Sequence, residues 1–270
     1  MEPSHKIRVC VAGATGWAAS ELSKGIAATT DLELVAAVAR KTAGKNLNTV
    51  LGFTSEKNIP IFSTLEEALQ IPCDVLIDYT APEIARHHIL TALHKGVAVV
   101  VGTSGLSDAD YDEIGRLATE KRRPVLAVGN FAISVVLLNK FAEMASQYMP
   151  HWEIIDYASD TKVDAPSGSA LELANRLSKQ QAVITIPTEA VQGEKATRGA
   201  NIGGTQVHAV RLPGYVISLE TIFGMESEKL ILKHEAGDSA KPYVKGALLA
   251  IRKVNSFTGL KRGLDQVMDF

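Results

Sequence analysis

Short apolar runs rich in β-branched residues alternate with longer helical patterns through the first half of the chain, the signature of βαβ units and a parallel sheet. Five strands are predicted, at Ile7 to Ala12, Leu34 to Ala39, Asp74 to Tyr79, Val97 to Val101 and Pro124 to Val128. Most are apolar throughout, as strands covered on both faces should be. Helices are predicted between them at Ala18 to Thr29, Thr64 to Leu69, Pro82 to His94 and Asp108 to Glu120, the third with Thr80 as its N-cap and Gly96 as its C-cap.

The pattern changes after Asn130. An apolar helix from about Ser134 to Met149 leads into the run WEIIDYASD, then a loop rich in Asp, Pro, Ser and Gly, then a helix over Ala170 to Ser178. A long polar stretch without clear periodicity follows. Three strand-like runs come next, Thr205 to Leu212, Tyr215 to Phe223 and Lys229 to His234, with no helix between them, which predicts an antiparallel or mixed sheet in a separate layer. The last segment, Tyr243 to Val254, is helical again and is expected to return to the first domain. The division expected is therefore 1–131 with 242–270, and 132–241.

Composition narrows the function classes. A chain of 270 residues with 46% hydrophobic and 21% charged residues can bury a full core in one or two domains. Its 28 basic and 30 acidic residues leave a net charge of −2, so no long-range field recommends a nucleic acid partner. Cys10 and Cys73 lie far apart in apolar runs and read as buried strand residues, against a disulfide scaffold or a thiolate metal site. The start, MEPSHKIRVCVAG, lacks the apolar stretch of a signal peptide, and no run reaches the ~18 residues of a membrane span. A cytoplasmic protein with no membrane partner and no metal is the expectation.

Gly13, Gly16 and Ala19 follow the first predicted strand and open a helix, in the spacing that lets a backbone turn tightly, approach a pyrophosphate and pack against the sheet. The second strand ends in Ala39, Arg40 and Lys41, where an NAD-specific site usually carries an acid for the ribose 2′-hydroxyl. Two cations there favour a 2′-phosphate instead, so NADPH is the expected cofactor, with NADH second. Tyr79 with Thr80, Gly102 with Thr103 and Ser104, and Asn130 with Phe131 stand at the carboxyl ends of later strands, where ligands of open α/β sheets bind. The fold class expected is α/β: an N-terminal Rossmann dinucleotide-binding domain with a parallel sheet, joined to an α+β domain with a mixed or antiparallel sheet, which the family resemblance given below makes a substrate and oligomerisation domain.

The densest polar run is Lys162, Asp164, Pro166, Ser167, Gly168 and Ser169, just before a helix. Hydroxyls and amides at a helix N-terminus, with a lysine a few residues away, suit a small anionic substrate. The chain is similar to the dihydrodipicolinate reductase family over essentially its whole length: in VAGATG, DYTAPE, VVVGTSGL, GNF, KVDAPSGSA, RLPGYVISLETIFG and KGALLAIRKV. The resemblance implies a homotetramer built by the second domain's sheet, and reduction of a cyclic dihydropyridine dicarboxylate in diaminopimelate and lysine synthesis with NADH or NADPH. It puts Gly13, Ala14, Thr15, Gly16, Trp17, Ala18, Arg40, Gly102, Thr103, Ser104, Val128, Gly129, Asn130 and Phe131 on cofactor positions. Lys162 falls on the catalytic lysine, and Gly168 with Ser169 on the carboxylate-binding pair.

Three departures surround one pocket of that family. Ala158 and Ser159 stand where it carries a proton-donating and a substrate-binding histidine, and neither serves as a general acid near neutral pH, a loss of ~10²–10⁴ in rate. Ser239 and Ala240 occupy the neighbourhood of a carboxylate-binding arginine after His234, leaving Lys241 as the nearest cation, without the planar fork. Trp17 replaces an arginine after the second loop glycine. The doublet His87 and His88 reads as a helix surface or rim. Lys162 either stabilises developing charge or donates the proton, and Tyr157 and Asp160 are alternative proton sources. The expectation is an NAD(P)H-dependent oxidoreductase acting on a small carboxylated cyclic imine or keto compound, by imine reduction in the first case. The lysine-pathway reaction itself and a catalytically inactive NADP-binding regulatory protein are the alternatives.

Overall fold

The computed structural model describes residues 6–180 and 183–270; Met1 to His5, on which the expectation about the N-terminus partly rests, lie outside them. The chain forms two compact units, Met1–Ile133 with Ala240–Phe270, and Ser134–Ser239.

The first unit is built on a parallel sheet. Its elements run β1 (Ile7–Ala12), α1 (Trp17–Ala27), β2 (Leu32–Val38), α2 (Leu47–Leu51), β3 (Ile61–Phe62), α3 (Leu65–Ala68), β4 (Val75–Asp78), α4 (Pro82–His94), β5 (Ala98–Val101), α5 (Asp108–Glu120) and β6 (Pro124–Ala127). After the second unit the chain returns as α8 (Lys241–Lys253) and β12 (Gly259–Arg262). The strand order is β12-β6-β5-β4-β1-β2-β3, so β1 lies between β2 and β4 and the order reverses there. Ligands of such sheets bind outside the strand ends at that reversal. Five strands were expected and seven form. The two extra are the edges: β3 has two residues, and β12 carries Lys261 and Arg262, so neither shows the apolar run of a strand covered on both faces.

The helices obey their local signals, with one exception. Ser107 caps α5 through the Asp110 amide, and the Asp110 carboxylate accepts from the Ser107 amide, a reciprocal cap worth about 1 kcal/mol. Thr80, expected to cap α4, does not: Ala81 is the N-cap and has no side chain to offer, because the Thr80 hydroxyl is engaged by Asp78. Gly96 lies one residue beyond the Lys95 C-cap, with φ +75. Cys10, Leu76, Ile89, Leu93, Val99, Ile114 and Val125 form one continuous core. The Cys73 thiol is pushed up to about 12 by burial.

The second unit packs α6 (Ile133–Ser146) and α7 (Gly168–Leu177) with a sheet of β7 (His151–Ala158), β8 (Ala200–Ile202), β9 (Thr205–Arg211), β10 (Ile217–Met225) and β11 (Glu228–Ala236). The order is β11-β10-β7-β9-β8, with β7 and β9 parallel and the other pairs antiparallel, a mixed sheet. Trp152, Ile154, Asp156 and Ala158 of β7 alternate onto the buried face, with Leu138, Leu173, Leu177, Leu219 and Phe223 in the same core. The Trp152 indole donates to the Thr205 hydroxyl at 2.9 Å, so the large ring is buried without an orphaned N–H.

Candidate active site

Sequence and backbone make a tight glycine turn at the sheet reversal, the place where a nucleotide is expected. Gly13 has φ +76, and a Cβ there would lie 2.4 Å from the Tyr79 carbonyl oxygen, so only glycine fits where β1 and β4 end side by side. The Gly13 amide donates to Val38 O (2.9 Å) and the Gly16 amide to Gly13 O (2.8 Å), closing the turn into α1. No side chain caps α1 and no acid lies in its first turn. Its positive end and free amides therefore suit an anion, and the approach of a pyrophosphate meets no side chain at Gly13 or Gly16. Trp17 is exposed beside this turn, edge-on to Tyr243 of α8 with ring centroids 5.9 Å apart.

The other expected nucleotide contacts surround the same strand ends. Arg40 and Lys41 open a short 3₁₀ turn after β2, both exposed and, among the described residues, without an ion pair. The Tyr79 ring lies over Gly102, where a Cβ would approach it to 2.5 Å, and tilts against Phe131 at 5.6 Å. Burial pushes the Tyr79 hydroxyl well above its ordinary value, so it stays protonated. Val128 extends the strand ladder by donating to Val101 O, Asn130 Oδ1 accepts from the Ala132 amide, and Gly129 and Ser104 remain exposed. Ala14 is buried, Thr15 exposed and Ala18 half-buried. These residues fit a dinucleotide.

His88 corrects the expectation of a helix surface. Only His87 is on the surface, 2.7 Å from Glu66; His88, one residue on, turns inward and its Nδ1 lies 2.7 Å from Asp78 Oδ2. Asp78 is fully buried at the end of β4, and its Oδ1 accepts from the Thr80 amide (3.0 Å), the Thr80 hydroxyl (2.7 Å) and the Thr103 hydroxyl (2.8 Å). A carboxylate taken from water is stable only when so supplied with donors.

In the second unit the loop before α7 is tied to the sheet. Asp156 is buried on β7; its Oδ2 accepts from the Ser167 amide (2.7 Å) and from Arg211 Nη2 (2.8 Å), and its Oδ1 from the Ser167 hydroxyl (2.7 Å). Arg211 Nη2 also donates to the Asp164 carbonyl at 2.6 Å. The Ser167 hydroxyl in turn accepts from the Ala170 amide, so both polar groups of Ser167 are used inside the protein. Gly168 and Ser169 open α7 above it, the first exposed and the second half-buried. Lys162 Nζ pairs with Asp164 Oδ1 at 2.7 Å and holds that carboxyl below the usual carboxylate range.

The other expected site residues scatter. Tyr157 follows Asp156 in an extended strand and so points to the opposite face, where it donates to Glu220 at 3.3 Å and stacks on Tyr215; burial first, then Glu220, raises its hydroxyl above the ordinary value. Asp160 is exposed and accepts from the Ser159 hydroxyl at 3.1 Å. Lys241 is the first residue of α8 and belongs to the first unit, whereas the loop of Lys162 belongs to the second. Ala158 is buried at 1% exposure. Sequence reasoning gave no role to Asp78, Asp156 and Arg211, although an acid closing the run VLID and another inside WEIIDYA were visible signals.

Residues 7–131 match the family described as dihydrodipicolinate reductase, N-terminus, and residues 134–268 its C-terminal counterpart. A 4-hydroxy-tetrahydrodipicolinate reductase of Bacillus pumilus is 39% identical over 272 residues, covering 98% of this chain and 99% of the relative. One from Listeria monocytogenes is 34% identical over 265 residues, covering 97% of this chain and all of the relative. Among solved structures, a dipicolinate-bound dihydrodipicolinate reductase from a Paenisporosarcina species superposes with a TM-score of 0.87 at 30% identity, over 97% of this chain and all of that one. With both halves matched and whole-length relatives above 30% identity, the chain belongs to the dihydrodipicolinate reductase family and is an NAD(P)H-dependent oxidoreductase.

Proposed function

We propose that this reductase prefers NADPH and reduces a small carboxylated cyclic imine or keto compound other than the usual lysine-pathway substrate. The observation that carries the reading is Ala158: a buried methyl group stands at the position that the resemblance gives to the family's proton-donating histidine, and the neighbouring Ser159 hydroxyl is turned to Asp160 and Thr161. A substrate that arrives as an iminium already bears its proton and needs that histidine less. A bound nicotinamide supplies the hydride. The amides at the start of α1 hold the pyrophosphate, and Arg40 with Lys41 favour a 2′-phosphate. Lys162 attracts the substrate anion in competition with Asp164 and stabilises or protonates the reduced centre. Gly168 and Ser169 offer the start of α7 to a carboxylate, with Ser167 securing the turn beneath them. Tyr157 and Asp160 are the lesser proton sources, since the first faces Glu220 and the second lies exposed at the loop.

The second reading, reduction of 4-hydroxy-tetrahydrodipicolinate itself, is favoured by the names of relatives 34% and 39% identical over the whole chain. Oxidation of NADPH and NADH, followed with that substrate and with a panel of cyclic imines and 2-keto acids, separates the two. Turnover of a panel member with NADPH preferred is expected. Ordinary enzyme rates on the lysine precursor would establish the second reading, and equal use of NADH would remove the cofactor preference.

A further inference from the structure

Asp78 and His88 have no part in the reaction as described, yet they form a buried polar cluster in the first unit. Asp78 has no exposed surface and His88 only 6%. Asp78 Oδ1 takes the Thr80 amide at 3.0 Å, a group that can only donate, so this oxygen acts as an acceptor for the hydroxyls beside it. The Thr80 hydroxyl at 2.7 Å and the Thr103 hydroxyl at 2.8 Å therefore both point their protons at Asp78 Oδ1. Thr103 Oγ1 in turn accepts from the Thr80 amide at 2.9 Å, which closes a ring joining the ends of β4 and β5. His88 reaches into this ring from α4, donating from Nδ1 to Oδ2 at 2.7 Å and fixing the carboxylate plane. The Thr80 hydroxyl, half-buried, is left with lone pairs and no proton for anything that arrives from outside.

We propose that Asp78 and His88 are positioning residues that lock Thr80 as a hydrogen-bond acceptor for a donor group of the bound nucleotide, a ribose hydroxyl or the carboxamide NH2. The assignment rests on the nucleotide reading of the strand ends and deepens it. His88 acts through Asp78, and Asp78 through Thr80, so each should matter to nucleotide affinity in proportion to the link that it serves.

The test is NADPH affinity by fluorescence titration of the full chain and its variants, with thermal unfolding recorded alongside. His88→Leu removes the donor, whereas His88→Asn puts an amide nitrogen near the place of Nδ1. Asp78→Asn introduces a donor where only an acceptor stood. We expect NADPH to bind about tenfold more weakly to His88→Leu and to Asp78→Asn, the upper end of what one neutral hydrogen bond contributes. His88→Asn should recover affinity to within about twofold. In a Thr80→Val background Asp78→Asn should cost nothing more, because the two changes break one chain of contacts. A folded His88→Leu chain with unchanged affinity, a His88→Asn chain as weak as the leucine variant, or losses that multiply in the double variant would each overturn the assignment. A wild-type chain that binds neither NADPH nor NADH would overturn the nucleotide reading, and this assignment with it.

Discussion

At the residue scale the proposed chemistry rests on few side chains, and Lys162 is the first of them. Replacing it by methionine keeps the length of the stem and removes the charge, leaving Asp164 without its 2.7 Å partner. Turnover should fall by about 10²-fold or more while NADPH affinity stays within about twofold, because the glycine turn where the nucleotide is expected belongs to the first unit. Turnover that survives the change would refute the role of Lys162. His234 gives a pH dependence. It is buried on β11 with Nδ1 2.9 Å from the Ser134 hydroxyl, and burial holds the imidazole below its ordinary value of 6.5. The unfolded chain then binds the proton more readily than the folded one, so the contribution of His234 to stability is fully present above about pH 6.5 and is lost as pH falls toward the folded value. Melting temperatures from about pH 8 to about pH 5 should fall more steeply below the midpoint for the wild-type chain than for His234→Gln. Parallel curves would show that the burial of this ring has no consequence for stability.

At the scale of elements, the loop before α7 is a strap fastened by β7 and β9. Arg211 joins the Asp156 carboxylate to the Asp164 carbonyl, and Asp156 joins β7 to the Ser167 cap of α7. Arg211→Met leaves a buried carboxylate without its cation, a loss of about 3 kcal/mol. If the variant folds, KM for the acceptor should rise about tenfold or more while NADPH affinity is unchanged, since only the loop of Lys162 and Gly168 loses its hold. Arg211→Lys keeps the charge without the fork and should lie between the two. Equal losses of acceptor and nucleotide binding would instead mean general unfolding.

Much of this scale was legible in the sequence. β1, α4 and α5 have the bounds that their apolar periodicity predicts, because each buries a regular stripe against its own neighbours in the chain. WEIIDYA was harder to read. β7 alternates cleanly in the fold, but one of its inward positions is Asp156, which breaks the apolar pattern and is satisfied by Arg211, 55 residues away. Thr80 fails as a cap for the same kind of reason: a buried acid two residues earlier outcompetes the helix amides for its hydroxyl.

At the scale of the whole molecule, the sheet of the second unit has two unlike faces. One buries Trp152, Ile154 and Phe223 with α6 and α7; the other presents Ile155, Tyr157, Ile222 and Ile231, with Ile231 46% exposed. Pairing of that open face with copies of itself would support the homotetramer that the resemblance implies, and light scattering should then give a mass near four times 28.9 kDa. Ile231→Glu puts a charge on the face and should shift the chain to smaller species; a monomeric wild type would end the proposal. Among the described residues no helix is long and apolar enough to cross a membrane.

The sequence by itself determined the βαβ alternation, the glycine turn at Gly13 and Gly16 and the family, because these depend on local periodicity and on residues close together in the chain. It also carried the expectation that Ala158 and Ser159 stand where the family has its histidine pair. Only the tertiary structure decided that His88 turns inward to Asp78, that Tyr157 turns away from Asp156, and that Arg211 holds the Lys162 loop. Each of those depends on which acid is buried and which distant donor reaches it. A buried carboxylate selects its partners by geometry in space, and spacing along the chain does not encode that choice.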